Sequence, residues 1–260
     1  MLNKQFIKSA ITILWHNPIL IKSLVQGNFD KIYCSYWHFK LKDAKRYHQE
    51  LSKNNNNDMK DFLKHIKDIN YRILNKKSSR IEAFYIPLYL LIRKLKPDFV
   101  IETGVHRGVS SLFILEALEE NGKGILHSID LPLAGYDTDS RGSTKSFLPP
   151  EKVGICVPNR LRKRWNLILG DSKEQLPILL EKVPTIDFFL HDSKHTYSYM
   201  MWEFEKIWPY LKDGGLLISD DTNWNNAFNT FAKDVNCDAI HLKRDRETDE
   251  TFGIVFKSSH

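Results

Sequence analysis

From residue 99 onward, short apolar runs that favour strands alternate with longer runs that have helical periodicity. Five strand-like runs define this alternation: 99–102, 125–130, 167–170, 186–191 and 216–220. Strands that alternate with helices usually pair in parallel, with helices covering both faces of the sheet. Two more runs, 239–243 and 252–256, flank a charged stretch and predict a hairpin, so one strand should run antiparallel to the others. The predicted fold class is α/β.

The chain before this alternation has a different character. Apolar residues at helical spacing, for example Phe62, Ile66 and Ile69, predict short helices within residues 1–80, and residues 81–95 predict one more helix. Residues 1–80 hold 16 Lys and Arg against 6 Asp and Glu, a net charge of +10, whereas residues 81–260 carry −4. We therefore divide the chain into a basic helical extension, 1–80, and a domain, 81–260.

The basic extension leaves several partners open. Such a segment can contact an anionic membrane surface, a nucleic acid or an acidic protein. There is no dense arginine cluster and no recognised nucleic-acid module, so a solvated helical face is the favoured interpretation and peripheral membrane contact through residues 1–80 is its alternative. A homo-oligomer is a separate expectation for the whole protein. The apolar run 10–21 is interrupted and too short to span a bilayer. Cys34, Cys156 and Cys237 lie far apart, which predicts reduced thiols in a cytoplasmic protein.

The first strand-like run ends in a turn that indicates ligand binding. Glu102 is followed by Gly104 and Gly108, and a helix is expected from Ser110 to about residue 118. Glycines permit positive φ and close backbone approach, and the amides that open a helix point at a ligand over the strand end. A dinucleotide fingerprint seats a pyrophosphate, but here a carboxylate stands at the turn and favours a cation. S-adenosylmethionine (SAM), which has an ammonium and a sulfonium but no phosphate, meets that description; a plain strand-to-helix connection is the alternative.

Acidic residues also end the later strands, where ligands of open α/β sheets bind. Asp130 is placed to accept hydrogen bonds from ribose hydroxyls, with a cap as its alternative role. Asp171 and Ser172 could contact the adenine, cap the next helix, or do both. The candidate SAM-binding residues are Glu102, Gly104, His106, Ser110, Asp130, Asp171 and Ser172.

A second acidic group follows the fourth and fifth strands. Asp192, Asp220 and Asp221 would repel one another unless a cation lay between them, and oxygen ligands of this kind suit Mg²⁺ or another hard divalent ion. Such a metal would bind a substrate hydroxyl and lower its pKa. His195 could then accept the proton as general base, because histidine ordinarily titrates near neutrality. Helix capping by Asp220 and Asp221, and a structural role for His195, are the alternatives.

These motifs resemble those of the class I SAM-dependent methyltransferases. Residues 100–111 are similar to the family's first motif, 128–132 to its second, 169–172 to its third and 208–221 to a later strand. Asp192, His195 and Tyr197 match the Asp-x-x-His-x-Tyr pattern of a branch often labelled cephalosporin-hydroxylase-like or macrocin-O-methyltransferase-like. The resemblance covers about residues 81–257. It implies a Rossmann-like seven-stranded sheet of order 3-2-1-4-5-7-6 with strand 7 antiparallel, and acceptor selection by segments outside the core fold.

The magnesium-dependent, catechol-type O-methyltransferases offer a more distant resemblance. Their first metal-binding aspartate falls on Asp192, and their Asp-Asn pair falls on Asp220 and Asp221. Their catalytic lysine falls on His195. This chain departs from that pattern at 195 and 221, which leaves the base uncertain and makes the proposed metal site more anionic.

The predicted function is SAM-dependent transfer of a methyl group to a hydroxyl of a small molecule or sugar, assisted by a divalent metal. A metal-independent methyltransferase acting on nucleic acid or protein, and an inactive SAM-binding partner subunit, are the alternatives. Enzymes that methylate base amines typically carry Asn/Asp-Pro-Pro-Tyr/Phe after the fourth strand, and residues 191–195 read His-Asp-Ser-Lys-His instead. A hydroxylase, suggested by one family label, is disfavoured because no spacing typical of two histidines and one carboxylate around iron is evident.

Overall fold

The structure is a computed structural model that describes residues 23, 29–53, 58–75, 82–132, 136–138, 144–146, 148–244 and 249–258. The apolar run 10–21 lies outside these residues. Within them, no helix combines the length and the apolar character needed to cross a membrane.

Seven strands form one sheet of order 3-2-1-4-5-7-6, as the resemblance implied. The strands are β1 (Phe99–Thr103), β2 (Ile125–Asp130), β3 (Trp165–Leu169), β4 (Ile186–His191), β5 (Leu211–Ser219), β6 (Ala239–Lys243) and β7 (Thr251–Phe256). The first five pair in parallel, while β7 is antiparallel to β5 and to β6. The predicted α/β fold class, the order and the antiparallel strand 7 are confirmed. A separate short hairpin pairs Tyr136–Thr138 with Thr144–Ser146.

Seven helices of the described residues surround this sheet. They are α1 (Phe29–Ser52), α2 (Met59–Leu74), α3 (Glu82–Leu95), α4 (Val109–Asn121), α5 (Ser172–Leu180), α6 (Tyr197–Ile207) and α7 (Ala227–Asp234). Successive strand residues point to opposite faces. In β4, Phe188 and Leu190 therefore pack with α1 to α4 in one hydrophobic core, whereas Phe189 packs with α5, α6 and α7 in the other. The sheet is thus covered on both faces.

The helices that precede the sheet share its core. On α2, the predicted apolar face of Phe62, Ile66, Ile69 and Ile73 is buried, and on α1 the Trp37 ring packs edge-on against Tyr85 of α3. α1 and α2 therefore lie against α3 and α4 within one core. The division into 1–80 and 81–260 stays a prediction about domain organisation.

A disulfide joins Cys34 of α1 to Cys156, which lies 122 residues further along the chain. The expectation of reduced thiols is wrong for this pair. Its Cα atoms come within 4.8 Å only because α1 packs beside the segment that precedes β3, and wide sequence spacing carries no sign of that contact. Cys237 is unbonded, and the cytoplasmic location stays a prediction.

Candidate active site

The glycine turn after β1 brings the ends of β1 and β4 into contact. Gly104 has φ +87°, and a Cβ atom there would lie 2.0 Å from the carbonyl oxygen of Asp192. The amide of Asp192 in turn donates to the carbonyl of Thr103 over 2.8 Å. Only glycine fits this position, because it adopts positive φ at no steric cost and has no side chain. The turn therefore places the backbone of two neighbouring strand ends at one edge of the sheet.

Asp130, at the end of β2, stabilises this turn through hydrogen bonds. Its Oδ2 atom accepts hydrogen bonds from the backbone amides of Val105 and His106, over 2.6 and 2.9 Å. His106 has φ +50° and Gly108 has φ +77°, so with Gly104 the loop has three left-handed residues before α4 begins at Val109. Amides bonded to a carboxylate hold a defined orientation. The predicted residues Gly104, His106 and Asp130 thus form one contiguous loop.

Glu102 lies beneath the turn and not at its surface. It is fully buried, and its Oε2 atom accepts from Ser111 on α4 and from Ser128 on β2, over 2.6 and 2.8 Å. Burial raises the pKa of this carboxyl above its ordinary value, and nearby serine hydroxyls oppose that shift. Ser110, also buried, opens the same helix. These contacts tie β1 to α4 and β2, and a direct contact of Glu102 with a cofactor stays a prediction.

Asp171 and Ser172 follow β3 at the same edge of the sheet. Asp171 caps α5: its Oδ1 atom accepts from the amide of Lys173 over 2.8 Å, and from the hydroxyl of Tyr199 over 2.6 Å. The Ser172 hydroxyl lies 2.7 Å from the same tyrosine oxygen. Burial, together with the hydrogen bond to Asp171, raises the pKa of Tyr199 above its ordinary value. The capping role is thus observed, while a contact with adenine stays a prediction.

Glu203 on α6 is an important residue that the sequence analysis missed. Its carboxylate is fully buried and accepts hydrogen bonds from Thr103 Oγ1 over 2.6 Å and from Ser193 Oγ over 2.9 Å. Ser172 Oγ donates to it as well, and His191 Nδ1 lies 2.6 Å from Oε2. Burial by itself would raise the pKa of Glu203, but the interaction with His191 and the hydrogen bonds from Ser172 and Thr103 together outweigh it and lower the pKa. One carboxylate thus joins the chain segments that follow β1, β3 and β4.

A signal for Glu203 was present in the sequence. It stands three residues after Met200 and four before Ile207, on the helix face that both of these buried residues occupy. An acidic residue on a buried face needs donors, and here the strand ends supply them.

His195 lies in the turn between β4 and α6, and its side chain is buried. The ring is 5.1 Å from the Trp224 ring and 5.1 Å from that of His191, measured between centroids. Its Nε2 atom is 3.9 Å from Asp192 Oδ1, and the Asn225 side chain donates to its carbonyl oxygen over 3.2 Å. The structure therefore places the predicted base beside Asp192, with Trp224 packed over it.

The described residues do not fit the predicted metal site. Arg244, which follows β6, lies where the cation was expected: its Nη1 atom donates to Asp220 Oδ2 and lies 3.4 Å from Asp221 Oδ1. Within the described ranges, no three His, Cys, Asp or Glu side chains are grouped as metal ligands. The magnesium expectation is therefore not supported. Arg244 relieves the repulsion between the carboxylates of Asp220 and Asp221, although it lies far from them in the sequence.

Comparison with known proteins agrees with this geometry. A family model described as a methyltransferase domain matches residues 101–222. That interval begins in β1, ends after Asp221, and contains every site residue predicted from the sequence. No curated protein is a significant match to the chain.

Solved structures resemble the chain at the level of the fold. An O-methyltransferase candidate from Klebsiella pneumoniae is 15% identical, with a TM-score of 0.51 over 81% of this chain and 95% of its own. The O-methyltransferase TomG from Streptomyces achromogenes, solved with SAM, is 14% identical, with a TM-score of 0.54 over 76% and 89%. An O-methyltransferase from Bacillus cereus, solved with S-adenosylhomocysteine (SAH), is 14% identical, with a TM-score of 0.50 over 82% and 97%. The chain thus has the fold of SAM-dependent O-methyltransferases.

Proposed function

We propose that this protein is a SAM-dependent O-methyltransferase that methylates a hydroxyl of a small molecule or sugar. The observation that carries the proposal is the loop after β1, in which Gly104 has left-handed geometry and Asp130 fixes the amides of Val105 and His106. This loop lies at the carboxyl edge of the sheet, where open α/β folds bind their ligands, and within the interval that matches a methyltransferase domain.

The residues of this edge divide into two groups by position. One group surrounds the turn after β1 and consists of Gly104, His106, Ser110 and Asp130; the other follows β3 and consists of Asp171 and Ser172. We propose that the two groups together bind the nucleoside and amino-acid parts of SAM. Glu102 contributes from below by fixing the position of α4. SAM supplies an electrophilic methyl group on a sulfonium sulfur.

His195 and Asp192, from the Asp-x-x-His-x-Tyr pattern, are proposed to deprotonate the acceptor. With SAM bound, the acceptor oxygen would bond to the methyl carbon while the carbon–sulfur bond broke and left its electron pair on sulfur. The acceptor proton passes to the His195 ring, and the carboxylate of Asp192, 3.9 Å away, stabilises the imidazolium that results. Packing of Trp224 and burial fix the ring, which supports base catalysis by limiting the orientations it can adopt.

We expect the acceptor to bind where the helices of the basic extension, residues 1–80, lie against this edge of the sheet. Tyr85, on α3, is buried, and the guanidinium carbon of Arg244 lies 5.6 Å from the centre of the neighbouring Phe84 ring. Tyr33, on α1, lies 5.5 Å from the guanidinium carbon of Arg107, measured to the ring centre, so α1 reaches the loop after β1. We propose that these aromatic residues, together with Trp224, select the acceptor. Metal assistance is not included, because Arg244 pairs with two of the three predicted ligands.

The test separates cofactor binding from turnover. Calorimetry should show that wild type and His195→Asn bind SAM alike, whereas transfer of a labelled methyl group from SAM to a panel of phenols, sugars and hydroxylated small molecules should be lost only in the variant. His65→Asn, on α2, is the matched control and should behave as wild type. Failure of wild type to bind SAM would reject the function. Full turnover by His195→Asn would reject only the assignment of the base.

A further inference from the structure

We propose that Arg244 is the resident cation of the acidic group formed by Asp192, Asp220 and Asp221, and that it replaces a divalent metal in the acceptor site. This inference rests on the proposed function, because it concerns how an acceptor hydroxyl is oriented for methyl transfer.

The contacts around Arg244 meet the electrostatic need that suggested a metal. The side chains of Asp220 and Asp221 are only 1% and 8% exposed, and both lie against the Arg244 guanidinium. Two carboxylates in adjacent, buried positions are costly without a countercharge. Asp192, by contrast, is 30% exposed and lies beside His195. The arginine therefore neutralises the buried part of the group and leaves its exposed member next to the proposed base.

Arg244 is held in place by elements that do not carry the aspartates. Its amide donates to the carbonyl of Glu250 over 2.9 Å across the hairpin of β6 and β7, and its guanidinium carbon lies 5.6 Å from the centre of the Phe84 ring. Phe84, on α3, is itself buried and packs against Phe252 of β7 at 5.0 Å. A planar guanidinium that is both stacked and ion-paired has a fixed orientation. The cation is thus built into the hairpin and is not borrowed from solvent.

The aspartates are also fixed with respect to Arg244. Asp221 has φ +49°, the next amide, that of Thr222, donates to the carbonyl of Thr251 over 2.9 Å, and the amide of Trp224 donates to the carbonyl of Asp221 over 3.1 Å. The loop that carries the carboxylates is therefore bonded to the same hairpin that carries the arginine. The hairpin of β6 and β7 thus positions both partners of the ion pair.

A guanidinium and a divalent ion would exclude each other at this position. A hard metal requires several free oxygen ligands in a near-octahedral arrangement, and oxygens of Asp220 and Asp221 already accept from the arginine. An arginine guanidinium stays protonated in proteins, so its positive charge is permanent. The acceptor would be oriented by hydrogen bonds and not by metal coordination.

The test uses Mn²⁺ as a probe with the full chain and saturating SAH, followed by electron paramagnetic resonance. Wild type should show no saturable Mn²⁺ site. Arg244→Ala should gain one saturable site per chain, because removal of one positive charge frees two carboxylates. The gain should disappear when Asp220→Asn is added. Arg72→Ala, which breaks an ion pair with Glu50 on the extension, is the matched control and should gain no site.

One Mn²⁺ bound by wild type and lost in Asp220→Asn would overturn the inference, as would an Arg244→Ala chain that folds normally by circular dichroism but gains no site. Should that variant fail to fold, wild-type methyl transfer in the presence of EDTA decides: undiminished transfer supports the inference and loss of transfer overturns it. Failure to bind SAH would count against the proposed function, whereas the Mn²⁺ titration would still report on the acidic group.

Discussion

Replacement of Glu203 tests whether one buried carboxylate organises the cofactor edge of the sheet. Four side chains contact it: Thr103, Ser172, His191 and Ser193. Hydrogen bonds to a charged group are each worth about 1.5–3 kcal/mol, but hydroxyls can partly re-pair with each other or with a glutamine. We therefore expect Glu203→Gln to lower the free energy of unfolding by about 1–3 kcal/mol. Glu203→Ala, which leaves His191 without its buried partner, should lower it by about 3–5 kcal/mol.

The assay is urea unfolding followed by tryptophan fluorescence, at neutral pH and without ligand. Glu205→Gln, two residues away on the exposed face of α6, is the matched control and should remain within about 0.5 kcal/mol of wild type. SAM affinity should also fall in Glu203→Gln, because the carboxylate fixes the segments after β1, β3 and β4. A Glu203→Gln chain as stable as the control, with unchanged SAM affinity, would show that the four contacts do not organise the site.

Glu203→Gln should also change how the free energy of unfolding depends on pH. The pKa of Glu203 is lowered below its ordinary value of 4.5, so the unfolded chain binds the proton more readily than the folded one in that range. The stability that Glu203 contributes is therefore complete above about pH 4.5 and is lost as pH falls through the lower, folded pKa. Unfolding free energies measured from pH 6 to pH 3 should decline less steeply in Glu203→Gln than in wild type. Equal slopes would contradict the assigned direction of the shift.

Two further predictions concern the glycine turn and the disulfide. Gly104→Ala should weaken SAM binding and destabilise the chain by more than the roughly 1–3 kcal/mol that backbone strain costs. Gly122→Ala is the control, because Gly122 has φ +73° and no atom within 4 Å of an added Cβ, so it should show the strain alone. Equal effects of the two substitutions in thermal shift and calorimetry would refute the steric account. Reduction of Cys34–Cys156 should destabilise the protein by up to about 4–5 kcal/mol, because the bond closes a long loop, and should lower the melting temperature. Cys237→Ser should retain the full effect, and titration of three free thiols in the native, unreduced protein would contradict the disulfide.

The fold could be predicted from sequence because its signals are local. The limits of β2, β4 and β6 agree with the apolar runs, since each run is short, apolar and flanked by polar residues. The sequence predicted that the fifth strand begins at residue 216, but β5 begins at Leu211 in the structure. The first part of β5 contains Lys212, Asp213 and two glycines and pairs irregularly with β4. An irregular, polar beginning leaves no periodic pattern to recognise.

The site could be predicted only where a strand end fixes it. Gly104, Asp130 and Asp171 follow directly from strand positions, and the structure places them at one edge. The position of Arg244 could not be predicted in this way, because Arg244 lies in a charged segment. Its guanidinium lies over the Phe84 ring only because the hairpin of β6 and β7 brings it there. Cys156 likewise meets α1 through packing between distant segments, which residue spacing does not encode.

The acidic residues at the strand ends require positive partners, and the chain supplies most of these partners itself. Backbone amides donate hydrogen bonds to Asp130 and Asp171, His191 lies against Glu203 of α6, and Arg244 pairs with Asp220 and Asp221. The need for a cation therefore does not identify which cation is present. Of the three carboxylates predicted to bind a metal, Asp192 has the most exposed side chain and is the one beside His195. Chemistry at this edge should accordingly be most sensitive to changes at that pair, and Asp192→Asn should reduce turnover while SAM binding is retained.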